Sequence, residues 1–93
     1  MNDEVMLQML KIDLGIKTTA YDDRLKQYLQ TAEDEIRREG VKNLSADSVA
    51  DCNIVIQYAG WMWRKRESGE GMPRMLRWVL NNRLFDVGGD SDG

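Results

Sequence analysis

Read for its succession of apolar and polar positions, the chain divides into helical stretches separated by short breaks. The most apolar stretch, Val49 to Arg66, contains neither Pro nor a turn dipeptide and predicts one long helix. At roughly 100° per residue, Val49, Cys52, Val55, Ile56, Ala59, Met62 and Trp63 share one side, and Ile54, Tyr58 and Trp61 widen it to about two-thirds of the circumference. Only Asn53, Gln57, Gly60 and Arg64, spaced 4, 3, 4, form a polar wedge. Such girth needs neighbours on several sides, so this helix is expected to be the central post of a small bundle, with surface left for another subunit.

Three further helices follow from the same reading. Asp3 to Leu14 offers a Met-rich apolar face of Val5, Met6, Met9, Leu10 and Ile12, suited to a loosely specified core or an adaptable docking surface, and Gly15 ends it. Thr18 or Thr19 is expected to cap the next helix, with Thr19-Ala-Tyr-Asp22 as a relaxed capping box and Asp22 and Asp23 at the positive end of the dipole. It runs to about Glu39, stops at Gly40, and buries a narrow stripe of Leu25, Leu29, Ala32 and Ile36 with Tyr28 at its edge. Its other faces carry (i, i+4) pairs such as Glu33–Arg37 and Asp34–Arg38. Ser45 is the expected N-cap of the central helix. After the break at Glu67–Gly71, Pro73 starts a last helix that ends near Phe85. Met72, Met75, Leu76, Val79 and Leu80 fall on one side of it, and Trp78 and Phe85 on another. The expectation is an all-α fold: a compact four-helix domain, residues 1–85, around a central third helix, followed by a flexible acidic, Gly-rich tail, residues 86–93.

Composition narrows the function. A chain of 93 residues is one small domain, 42% apolar and 31% charged. Its net charge of −3 argues against a surface that grips nucleic acid all over, while allowing a local basic patch. The single Cys52 lies on the apolar side of the central helix and is read as a buried hydrophobe; no disulfide framework forms within the chain. Asp3 and Glu4 stand where the positive region of a signal peptide would be, and the longest nearly apolar run, Ile54 to Trp63, is half a membrane span. A soluble intracellular protein is expected.

Chemistry is sparse. With no His and one Cys, the usual zinc and Cys–His or Ser–His sites are excluded, and Gly69 and Gly71 lack the Lys-Ser/Thr and the preceding strand of a phosphate loop. Asp22–Asp23 suits a helix start better than a metal site, and Glu33-Asp34-Glu35 suits a solvated face better than acid–base work. No catalytic, cofactor-binding or metal-binding residue is assigned, and no cofactor is expected.

Between Arg64 and Arg83, six basic residues (Arg64, Lys65, Arg66, Arg74, Arg77, Arg83) face two acidic ones, with Trp61, Trp63 and Trp78 interleaved. This cluster reads in three ways: phosphate contact with aromatic stacking, helix-end charges beside core Trp rings, or a protein interface, for which Trp and Arg are favoured anchors. The interface reading names Trp61, Arg64, Arg66, Arg74, Trp78 and Phe85. Trp78 and Phe85 are its best pair, because both lie off the face committed to the core.

The order of these signals resembles the head–tail connector (head-completion, or adaptor) family of tailed phages. Leu10-Lys-Ile-Asp-Leu-Gly-Ile16 resembles that family's opening. Asp22-Asp23-x-Leu25-x-x-Tyr28-Leu29-x-x-Ala32-x-x-x-Ile36 resembles its next helix, with Gly40 ending it similarly. Ile56-x-Tyr58-Ala59-x-x-x-Trp63-Arg64-x-Arg66 resembles its central helix, and Met72-Pro73-x-x-Leu76-x-x-x-Leu80-x-x-Arg83-Leu84 its Pro-started last one. The likeness spans about residues 5 to 85 and rests on order, loop lengths and the Tyr–Trp–Arg–x–Arg ending together.

The resemblance implies a structural role without enzyme activity. The chain would assemble on the phage portal protein as a ring, a dodecamer in the virion. It would extend the DNA channel, pass DNA without specific binding, and receive a downstream connector or tail-completion protein. It implies a place in the virion neck, reached through the host cytoplasm during assembly, with no membrane partner. The alternative is a small helical DNA-binding module acting in packaging or regulation, which the Arg64–Arg83 cluster would carry.

Overall fold

The computed structural model describes the backbone of residues 2–92 and the side chains of residues 2–84. Four helices make up the fold: α1 (Asp3–Leu14), α2 (Asp22–Arg38), α3 (Val49–Ser68) and α4 (Arg74–Asp92). The Asn2 side chain accepts from Val5 N at 2.8 Å and starts α1. Gly15, at φ 72°, ends it, with Ile16 N donating to Lys11 O at 2.9 Å. The capping box expected at Thr19 does not form. Thr18 Oγ1 is taken by Ala20 N within the turn, Thr19 offers only its carbonyl to Asp22 N, and Tyr21 precedes α2 without a side-chain cap. The N-cap of α3 is Ser48 rather than Ser45: Ser48 Oγ accepts from Asp51 N at 3.2 Å, while Ser45 Oγ is occupied by Asp47 N.

Successive helices run antiparallel, and α3 touches each of the other three, as a central post must. The core joins Leu7 and Leu10 of α1, Leu25 and Ile36 of α2, Val55 and Ile56 of α3, and Leu76 and Leu80 of α4, all at most 2% exposed. The all-α four-helix expectation holds, and so does the α2 stripe: Leu25, Leu29, Ala32 and Ile36 are all buried. Glu33–Arg37 pairs as expected at 3.7 Å, whereas Arg38 reaches back to Glu35 instead of Asp34. Among the described residues no helix is long and apolar enough to cross a membrane.

Three faces differ from expectation. On α1 the buried side is Met6, Leu7, Leu10 and Lys11, while Val5 (44% exposed) and Ile12 (76%) point away from the core. Lys11 is drawn in because its Nζ sits 2.8 Å from Asp22 Oδ1, a pair that ties the end of α1 to the start of α2. On α3, Val49 is exposed at the helix mouth. Gly60, read as polar wedge, is buried against α1: an added Cβ would meet Leu10 Cδ1 at 3.7 Å and Leu14 Cδ2 at 3.9 Å. The close neighbour that Gly60 admits is therefore a helix of its own chain. On α4, Met75 is 67% exposed instead of core, because Leu76 and Leu80 set the phase of that helix. The last helix, expected to end near Phe85, runs on to Asp92, and the side chains of the expected flexible tail, residues 86–93, lie outside the described residues.

Candidate functional site

The aromatic and basic residues singled out above separate into two environments. At the C-terminal end of α3, the Trp63 ring is half-buried, edge-on to Tyr21 (centroids 5.3 Å apart) and Tyr28 (5.8 Å). The Arg66 guanidinium lies 3.9 Å from its centroid. Two residues earlier and on the other side of the helix, Trp61 meets Tyr58 edge-on at 5.4 Å, carries Lys65 Nζ 4.3 Å from its centroid, and donates Nε1–H to Glu70 O at 3.3 Å. Trp61 and Arg66 therefore spend much of their contact surface inside the chain. An open hollow of about 540 Å³ beside Trp63 and Arg66 is lined also by Tyr21, Arg24 and Asp23.

The second environment is the outward side of α4. Leu76 and Leu80 fasten the inner side, and opposite them Trp78 is 61% exposed beside Met75 and Arg74. A groove of about 200 Å³ adjoins this patch, between α1, α3 and α4, lined by Asp13, Gln57, Gly60, Arg64, Pro73 and Met75. Of the residues named for an interface, the structure thus brings Arg64, Arg74 and Trp78 toward one exposed region and sets Trp61 and Arg66 apart in the aromatic end. The Phe85 side chain lies outside the described residues.

Two arginines of the basic cluster hold α4 in place. Arg77 Nη1 donates to Glu39 Oε1 at 2.6 Å, joining α4 to the end of α2. Arg83 is the larger tie. Its Nε donates to Asp51 Oδ1 at 2.7 Å, and its Nη2 to Asp51 Oδ2 at 3.1 Å and Asn43 O at 2.9 Å. Asp51 Oδ2 also accepts from Ser45 N at 2.9 Å. Burial by itself would raise the Asp51 carboxyl. The hydrogen bonds from Arg83 and Ser45 N and the charge of Arg83 outweigh it and hold the group below its ordinary value. Desolvation, then the charges of Glu39 and Glu35, push the Tyr58 phenol up.

Sequence reasoning placed Arg83 in a basic surface and Asp51 nowhere. The available signal was register: Arg83 follows Leu76 and Leu80 at spacings of 4 and 3, on the core side of α4. With Arg77 and Arg83 paired inward and Lys65 and Arg66 seated on tryptophans, Arg64 and Arg74 are left as exposed cations without an ion-pair partner among the described residues. No group of His, Cys, Asp and Glu able to hold a metal occurs among the described residues, and Cys52 is buried, its Sγ donating to Ala46 O. What the described residues offer is exposed contact surface on the outward side of α4.

Comparison with known proteins gives one functional assignment. No curated protein and no solved structure matches the chain. The family model of the phage gp6-like head-tail connector protein matches residues 4–74, which take in α1, α2, α3 and the start of α4. The family is structural rather than enzymatic, and its members join phage head to tail. Bundle, post and family model agree, and the chain belongs to the phage gp6-like head–tail connector family.

Proposed function

We propose that this connector assembles as a ring on the phage portal protein, twelve copies in the virion, extends the DNA channel, and presents a docking surface to the next tail-joining component. Its place of work is the virion neck, reached from the host cytoplasm. The observation that carries the reading is Trp78, 61% exposed with Met75 on a helix whose other side is anchored by Leu76, Leu80 and Arg83. A large apolar ring held out on a rigid support, mostly uncovered among the described residues, suits an interface anchor. Arg64 and Arg74 at its border supply charge that steers and orients a partner. Trp61 and Arg66 contribute less directly, by stiffening the end of α3 from which α4 departs.

The alternative, a DNA-binding module, has lost most of its residues to internal contacts, since four of the six cations in the cluster are engaged. Native mass spectrometry of the chain alone and with its portal tests the proposal. Ring-sized oligomers at high concentration or on the portal are expected. A strict monomer that never binds the portal overturns it, and a salt-sensitive shift of duplex DNA would favour the alternative.

A further inference from the structure

Among the described residues, the outward face of α4 is one of two apolar stripes that the fold leaves bare. The other lies on α1, where Val5 (44% exposed) and Ile12 (76% exposed) flank Met9, itself partly buried against the core, at spacings of 4 and 3. They lie opposite Leu7, Leu10 and Lys11, which face the core. Val5 and Ile12 on one stripe and Met75 and Trp78 on the other are all exposed, so neither stripe covers the other within the chain. Their charges are opposite. Arg74 borders the α4 stripe as an exposed cation, Arg77 and Arg83 being paired with Glu39 and Asp51. On α1, Asp3, Glu4 and Asp13 border the stripe, while its one cation, Lys11, is buried against Asp22. Glu4 is shared with Lys26 at 3.1 Å, and both side chains remain largely in solvent.

We infer that the outward stripe of α1 in one copy packs on the Arg74–Met75–Trp78 face of α4 in the next. Pairing either face with its own kind would set arginine against arginine or carboxylate against carboxylate, whereas crossing them joins apolar to apolar and opposite charges at the border. A contact between two different faces of identical chains is head-to-tail, and it closes into a ring or continues as a chain according to its rotation. The inference rests on the connector reading, because it identifies the second half of the interface for which Trp78 is the first.

Two charge-introducing substitutions test it: Ile12→Asp and Trp78→Asp, compared with the wild type by sedimentation at high protein concentration and low salt. Both positions are exposed, so the circular dichroism and melting temperature of the monomer should hardly change. Each variant alone should self-associate more weakly by roughly tenfold or more, the loss expected of a central anchor. Mixed in equal amounts they should form a dimer and nothing larger, since each retains the face the other has lost. In parallel, a mixture of Ile12→Cys and Trp78→Cys chains should give a disulfide-linked pair, Cys52 being buried.

If Ile12→Asp assembles as the wild type does while Trp78→Asp fails, the α1 half is wrong and the connector reading stands. If neither substitution matters and rings still form, the interface lies elsewhere and the inference falls alone. A wild type monomeric at every concentration, with no linked pair from the cysteine mixture, overturns the inference. A failure to bind the portal as well would overturn the connector reading with it.

Discussion

Trp63 and Trp78 are the same side chain on adjacent, antiparallel helices, and they meet opposite fates. Trp63 finds Tyr21 and Tyr28 across from it and Arg66 one turn on, because α2 runs alongside α3 and supplies an aromatic edge. Trp78 stays 61% exposed, because α4 packs on α3 from one side and, among the described residues, no further helix covers its back. Among the described residues the bundle is thus closed around α3 and open behind α4. Whether a tryptophan is core or anchor here depends on the number of helices flanking it, a property of topology and not of its local sequence. That contrast is open to test by loosening α4, by emptying the aromatic end, by filling the one glycine that α1 leans on, and by trimming Trp78 itself.

The largest effect is expected at Arg83. Arg83→Met leaves Asp51, 4% exposed, with its charge uncompensated, and removal of one partner from a buried pair costs about 3–5 kcal/mol. Chemical denaturation should show that loss, and Asp51→Leu combined with Arg83→Met should recover much of it. The pair also has a pH signature. Because Asp51 is held below its ordinary value, the stability it contributes is present above the unfolded carboxyl's value of about 3.9 and is lost as pH falls through the lower folded value. The gap between wild type and Arg83→Met should therefore narrow below about pH 4. A gap constant with pH would mean that Asp51 does not depend on Arg83 for its ionisation.

Trp63→Ala comes next. The ring is half-buried and makes two edge-on contacts and one cation stack, so the expected loss is about 2–3 kcal/mol, below that of a fully enclosed tryptophan. A change under about 0.5 kcal/mol would place Trp63 with surface residues and erase the contrast with Trp78.

How much of this was legible beforehand varies by helix. The α2 stripe could be read because its charged remainder leaves one phase for Leu25, Leu29, Ala32 and Ile36. On α1 nearly every turn is apolar, so periodicity did not decide between burying Leu7 and burying Ile12; the pull of Asp22 on Lys11 did, and that is a tertiary contact. On α4 Met75 and Leu76 are neighbours of similar hydropathy, and Leu76 turns inward on the same side as Leu80 and Arg83, whose partner Asp51 lies 32 positions away. Sequence thus gave the bundle, the post and the family. It could not give the bare faces, because exposure depends on which helices are absent.

A gain is expected at Gly60. It sits in the interior of α3, where glycine costs roughly 0.5–1 kcal/mol relative to alanine. A Cβ there would lie 3.4 Å from Arg64 Nη1, the free end of a flexible side chain, and at ordinary contact distance from Leu10 and Leu14. Gly60→Ala should therefore raise stability by about 0.5 kcal/mol, seen as a higher melting temperature. A loss would show that α1 is pressed onto α3 more tightly than these distances allow.

The smallest effect on folding should come from Trp78→Ala, and it is the most telling. With 61% of its surface in water, Trp78 has little burial to lose, so monomer stability should move by no more than about 0.5 kcal/mol. The same substitution should remove most of the chain's capacity to associate with copies of itself or with a portal, because interface energy concentrates in a few central aromatic residues. The two readouts must separate. A fall of about 3 kcal/mol in stability would mean that Trp78 is core in solution and that the open back of α4 does not exist. Unchanged stability with unchanged assembly would mean that α4 is bare without being used, and the contrast between the two tryptophans would then record only how a four-helix chain runs out of helices.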